Sequence, residues 1–204
     1  MVNLRKVICL SLVIPVTLLF SGCASYSPGV SPLSDINASV HTKQDSGVTV
    51  GVRELGPKEI RATFKRNIHK HFVAPVYIVI NNKSQDTYQF RKNSVNKSLF
   101  SANETADKGK FSVFWRVLPF SPFIVSVFLW PFLIPALVGG LGAVNANKLM
   151  RADYVKKEID ERDILPEETL SGFLYFDSRV KGESFVIRLK NLSSEQMAVF
   201  EFAR

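Results

Sequence analysis

The chain predicts a mainly β protein: an antiparallel sandwich of about seven strands, interrupted by an apolar helical hairpin and an amphipathic helix. Three observations lead there. Apolar–polar alternation bounded by turn residues recurs toward both ends of the 204 residues. An uncharged stretch of about thirty residues, Val117 to Asn147, separates the two groups of strands. A segment with helical spacing follows it.

The elements begin with an export signal. Arg5 and Lys6 precede an apolar run from Val7 to Phe20, and Ser21-Gly22 supply small side chains before Cys23. The run is about fourteen residues, below the roughly twenty that span a bilayer, so it targets the chain rather than crossing a membrane. In Leu19-Phe20-Ser21-Gly22-Cys23 the chain resembles bacterial lipoproteins. That resemblance implies a signal peptide over 1–22, cleavage between Gly22 and Cys23, and a diacylglycerol with an acyl chain such as palmitate on Cys23. It also implies lipid anchoring in the bacterial cell envelope. Ala24, rather than Asp, after the cysteine points to the outer membrane over the inner, with the domain facing the periplasm or the cell surface.

Cys9 lies in the removed segment and Cys23 in a thioether, so the mature chain has no disulfide. Its roughly 180 residues must be held by their core alone, and that length suffices. Apolar residues make up 46% of the chain, sixteen of them Phe, which excludes a disordered tail. The net charge is +8, of which Arg5 and Lys6 account for two, leaving +6 after cleavage. That balance suits an anionic surface, and export excludes nucleic acid as a partner.

Residues 23–46 are rich in Ser, Pro, Gly and Asn without periodicity and read as a flexible tether. The sandwich domain then takes 47–204, with its helical insertion at about 111–163. Val48 to Leu55 alternates as a half-buried strand. Pro57 to His69 is predicted as a short helix with Ile60, Phe64 and Ile68 on one face and Arg61, Lys65 and Arg66 on the other. Pro75 to Ser84 combines β-branched and aromatic residues with a turn signal, and Thr87 to Arg91 resumes the strand. Val95–Phe100, 172–176, 184–189 and 197–202 complete the set. Here the chain resembles bacterial surface-protein domains with an immunoglobulin-like fold. It shares with them a strand ending in Asn-x-x-Ser (Asn81 to Ser84), the spacing Pro-x5-Gly-x-Leu-x-Phe from Pro166 to Phe176, and a closing strand. Such domains bind other molecules or serve as spacers, and the resemblance implies no catalytic residue.

The uncharged stretch contains Pro119, Pro122, Pro131 and Pro135, which kink a straight span, and basic residues flank both of its ends. A hairpin bent near Trp130-Pro131 keeps both strand groups in one compartment. Three uses stay open: insertion into the membrane, a partner surface, or a buried cap. The candidate contacts are Trp115, Phe120, Phe123, Phe128, Trp130, Phe132 and Leu133. A helix over about 143–162 then places Leu149, Ala152, Val155 and Ile159 on one face. Its basic half offers Lys148, Arg151, Lys156 and Lys157 to anionic head groups. Its acidic second half, Glu158 to Asp163, runs against the helix dipole.

Little reads as chemistry. His69 and His71 lack a third ligand unless His41 supplies it, so no metal is expected, nor any cofactor besides the covalent lipid. Two function classes remain. One is a non-catalytic binding or scaffolding lipoprotein whose partners are membrane lipid and an envelope protein complex. The other is a periplasmic hydrolase or metal-dependent enzyme, which would need a pocket gathering His69 and His71 with acids from 158–168.

Overall fold

The computed structural model describes residues 25–29, 41–112, 130–179 and 184–203, with the backbone alone over 130–140. The chain forms two compact units, one of Met1–Ser27 and Lys110–Met150, the other of Pro28–Gly109 and Arg151–Arg204.

The second unit is mainly β. Its strands are β1 (His41–Asp45), β2 (Val48–Glu54), β3 (Val73–Asn82), β4 (Tyr88–Gln89), β5 (Leu99–Phe100), β6 (Asp163–Ile164), β7 (Thr169–Asp177), β8 (Ser184–Asn191) and β9 (Met197–Ala203). They form two antiparallel sheets, ordered β1-β2-β3-β7-β5 and β6-β4-β8-β9. The core lies between them, where Val50, Ile78, Ile80, Leu174 and Phe176 of the first sheet share one cluster with Phe185, Ile187, Leu189, Phe200 and Phe202 of the second.

The two sheets differ in how they are covered, and the sequence carries that difference. β9 alternates exposed and buried residues along its length, since one face is solvated. β3 is buried at nine of its ten positions, because its other face is covered as well. Helix α1 (Pro57–Phe64) and the 3-10 turn Ile68–His71 lie on that face, and Ile60, Phe64 and Ile68 are fully buried as their spacing predicted. Burying each such side chain contributes about 1.5–3 kcal/mol. Phe64 is central: its ring meets Phe173 at 5.0 Å, Tyr154 at 5.2 Å and Tyr175 at 5.9 Å, all edge-on.

Two expected elements fall differently. The tether ends early, since His41–Asp45 pairs with β2 through a two-residue loop whose Ser46 and Gly47 both take positive φ, 50° and 79°. The strand expected over Val95–Phe100 is divided between the sheets: Val95 bridges Ile187, whereas Leu99 and Phe100 pair with β7. This stretch carries the chain from one layer to the other.

The helical insertion also needs correcting. After α2 (Ala102–Gly109), one helix, α3, runs over 28 residues from Trp130 to Lys157. No apolar hairpin stands among the described residues, since its first arm, 113–129, lies outside them. Among the described residues no helix is long and apolar enough to cross a membrane. The helix expected over 143–162 thus starts earlier and stops earlier. It stops because β7 captures the chain: Glu158 bridges Phe173 in parallel, and the Ile159 amide donates to the Phe173 carbonyl at 3.0 Å. Glu158 to Asp163 therefore lie beyond the helix. Its last turn carries Lys156 and Lys157 and agrees with the dipole, so the apparent conflict came from the misplaced boundary.

The buried face of α3 is not the expected one. Leu149, Ala152 and Val155 are exposed, while Ala143, Ala146, Met150, Asp153, Tyr154 and Lys157 are buried. In the first unit, Asn147 pins an extended segment by accepting from the Phe111 amide at 2.7 Å and donating to the Phe111 carbonyl at 3.1 Å.

Gly172, the glycine of the Pro166–Phe176 spacing, shows why that position lacks a side chain. A Cβ there would stand 2.5 Å from the Cα of Ile159, which enters the core at that point. Gly172→Ala is expected to cost about 1–3 kcal/mol as an overpacked core site. Thermal unfolding followed by circular dichroism should show a drop of several degrees.

Candidate anion-binding site

Helix α1 ends on Lys65, whose left-handed φ of 53° turns the chain toward the 3-10 segment. The turn places the basic residues of both segments around one recess of about 390 Å³, lined by Arg61, Lys65, Arg66, Asn67, Lys70 and His71. Arg66 is braced: its Nε and Nη2 donate to the Gly109 carbonyl at 3.0 and 2.8 Å. Four permanent cations and an imidazole thus face one hollow with no carboxylate in its lining.

Helix ends attract cations for ordinary reasons, because the last carbonyls are unpaired and carry partial negative charge. In α1 the last two of those carbonyls are already occupied. Lys157 Nζ donates to Thr63 O at 2.8 Å and Tyr154 Oη donates to Phe64 O at 3.3 Å. Gly29 also lies against this end, where a Cβ would meet Thr63 O at 2.1 Å. Arg61, Lys65 and Lys70, like charges lining one recess, repel one another. Elsewhere cations sit on carboxylates: Arg53 on Glu59, Lys92 on Glu158 at 3.0 Å, Arg151 on Asp107 and Arg162 on Glu168, both at 2.6 Å. Among the described residues no carboxylate pairs with Arg61, Lys65 or Lys70.

Beneath the recess lies a buried polar pair. Lys157 Nζ meets Asp153 Oδ2 at 2.5 Å, with both side chains no more than 6% exposed, and stands 5.7 Å over the Phe64 ring. Burial pushes the Lys157 ammonium below its ordinary pKa, while the hydrogen bond and charge of Asp153 pull it back up. Burial likewise raises the Tyr154 phenol.

Lys157, expected with Lys148, Arg151 and Lys156 as a head-group contact, is buried and bonded to Asp153 and the Thr63 carbonyl. Lys148 and Lys156 are exposed, and Arg151 is exposed while paired with Asp107. Cys23 and Gly22 lie outside the described residues, as do Trp115, Phe120, Phe123 and Phe128. Trp130, Phe132 and Leu133 have helical backbone, and their side chains lie outside what is described.

Among the described residues, His69 and His71 do not come together with the acids of 158–168. His71 lines the recess beside cations, and His69, on the same 3-10 turn, is exposed. Four of the acids of 158–168 are engaged elsewhere: Glu158 with Lys92 and the Ala102 amide, Glu161 with the Lys92 amide, Asp163 with Gln89, and Glu168 with Arg162. No group of three or more His, Cys, Asp or Glu gathers among the described residues. A second hollow, of about 250 Å³, is lined by neutral polar residues together with Met197, Ala198 and Asp86, which accepts from Asn191 at 2.8 Å.

The recess was only half legible. The basic face of α1 could be read from spacing, but its junction with Lys70 and His71 depends on the left-handed turn at Lys65, for which no glycine signals. Comparison with protein-family models, with curated proteins and with solved structures finds no match.

Proposed function

We propose that this chain is a bacterial envelope lipoprotein, fastened through lipid on Cys23, that works as a non-catalytic binding or scaffolding module. The observation that carries this reading is the N-terminal sequence: two cations, an apolar run too short to span a bilayer, then Ser21-Gly22-Cys23. The body held at the membrane is read as an immunoglobulin-like sandwich. Strand order supports that: β2-β3-β7-β5 against β4-β8-β9 follows, in chain order, the ABED and CFG sheets of immunoglobulin constant domains, with α1 inserted between A and B, and α2, α3 and β6 between D and E.

A second contact with the membrane or with an envelope complex is assigned to the apolar segment and to α3. The outward face of α3 favours lipid. Leu141, Val144, Leu149 and Val155 are exposed there among Lys148, Arg151 and Lys156, and the one acid of that stretch, Asp153, points inward. An apolar face with Lys148 and Lys156, and with Arg151 paired to Asp107, suits an anionic interface through its lysines. Metabolic labelling with an alkyne-tagged fatty acid tests the anchor. The wild-type chain should take up label and Cys23→Ala should take up none; equal labelling of the two would end this reading.

A further inference from the structure

We propose that the recess between α1 and the 3-10 turn is a binding site for a multiply charged phosphate group. This goes beyond the anchoring role and stands without it, since the site lies wholly in the β unit and uses no residue near Cys23.

Three features identify the ligand class. The recess is concave and, at about 390 Å³, falls in the lower range of small-ligand sites, roughly 300–1,000 Å³. Its cations exceed what the helix end requires, because Lys157 and Tyr154 already hold the Thr63 and Phe64 carbonyls. Their mutual repulsion is relieved when an anion enters. The number and spread of donors then select the anion. A carboxylate brings one charge on two oxygens and leaves the larger part of the charge on Arg61, Lys65 and Lys70 uncompensated. A phosphomonoester carries close to two charges and three strong acceptor oxygens, and the Asn67 amide and the His71 ring add further donors. Arg66, fixed by Gly109, sets one wall before the ligand arrives, which reduces the ordering cost.

The phosphate can come from a lipid head group or from a free phosphate ester, and soluble probes separate the two. Full-length protein held in neutral detergent is titrated calorimetrically with inorganic pyrophosphate, with short-chain phosphatidic acid below its micelle concentration, and with the matching phosphatidylcholine as a neutral control. Binding of both anions assigns the site to the phosphate group itself; binding of phosphatidic acid alone assigns it to a lipid head group. In either case the triple variant Arg61→Gln, Lys65→Gln, Lys70→Gln should weaken binding about 100-fold, taking the usual contribution of each cation near an anionic surface. All three side chains are exposed, so the fold should survive, and an unchanged thermal midpoint checks this. The charge-keeping variant Arg61→Lys should bind within a few-fold of wild type. Changing Lys148, Arg151 and Lys156 to Gln should leave pyrophosphate binding untouched. Absence of binding by the wild-type protein to either anion, or undiminished binding by the triple variant, overturns the proposal.

Discussion

Asp153→Ala should unfold at markedly lower temperature than the wild-type protein. Among the described residues, the substitution leaves the buried Lys157 ammonium with the Thr63 carbonyl and the Phe64 ring for partners. Breaking a buried ion pair from one side costs about 3–5 kcal/mol, or roughly 6–20 °C in a chain of this size. The pair is not expected to be worth that much in itself, since burying both charges consumed most of their attraction. Adding Lys157→Met to Asp153→Ala should therefore recover much of the loss, and the double variant should be more stable than the single. The pH dependence has a definite sign. Burial already holds the folded Lys157 pKa below its unfolded value, and loss of Asp153 lowers it further. The unfolded chain then binds more protons across the window between those values. The stability of Asp153→Ala should rise as pH climbs from the folded Lys157 value toward the ordinary lysine range. A variant with unchanged thermal midpoint would show that the pair carries no such burden.

Asn82→Leu should cost about 3 kcal/mol, read as a fall in the urea midpoint at constant slope. Asn82 is fully buried at the end of β3 and serves five groups. Its amide donates to the carbonyls of Asp86, Ile164 and Leu165 at 2.8, 3.1 and 3.0 Å, and its oxygen accepts from the Ser84 amide and hydroxyl at 3.1 and 2.7 Å. It thereby ties one sheet to the β6 strand of the other. Asn82→Asp keeps the shape and the acceptor but removes every donor and buries a charge. It should be at least as unstable as the leucine variant; a stability near wild type would mean that size alone matters at this position.

Asn82 and Gly172 also show how far the sequence reaches. Gly172 is fixed by the Pro166–Phe176 spacing, whereas Asn82 stands at an unspecified position between Asn81 and Ser84, and both prove to be points where layers are fastened or brought close. The long strands were legible because side-chain burial writes itself as period: alternating where one face is wet, as in β9, and continuous where helices cover the second face, as in β3. β1 escaped notice because an exposed edge strand has no apolar face to announce it, and its Ser46-Gly47 turn lay in tether-like composition. The inward face of α3 escaped for the opposite reason. Asp153 and Lys157 at i,i+4 look like a solvated pair, and only the neighbouring Thr63 carbonyl makes burial of Lys157 tolerable. The recess required a left-handed lysine between two basic segments, which local propensity disfavours.

Intact mass spectrometry of the chain purified from the membranes of its producing cell tests the central claim most directly. The account predicts a polypeptide beginning at Cys23, heavier than residues 23–204 by a diacylglycerol and one further acyl chain, the added mass confined to the N-terminal peptide. A chain that retains Met1–Gly22, or one cut at Cys23 with no added lipid, would contradict it.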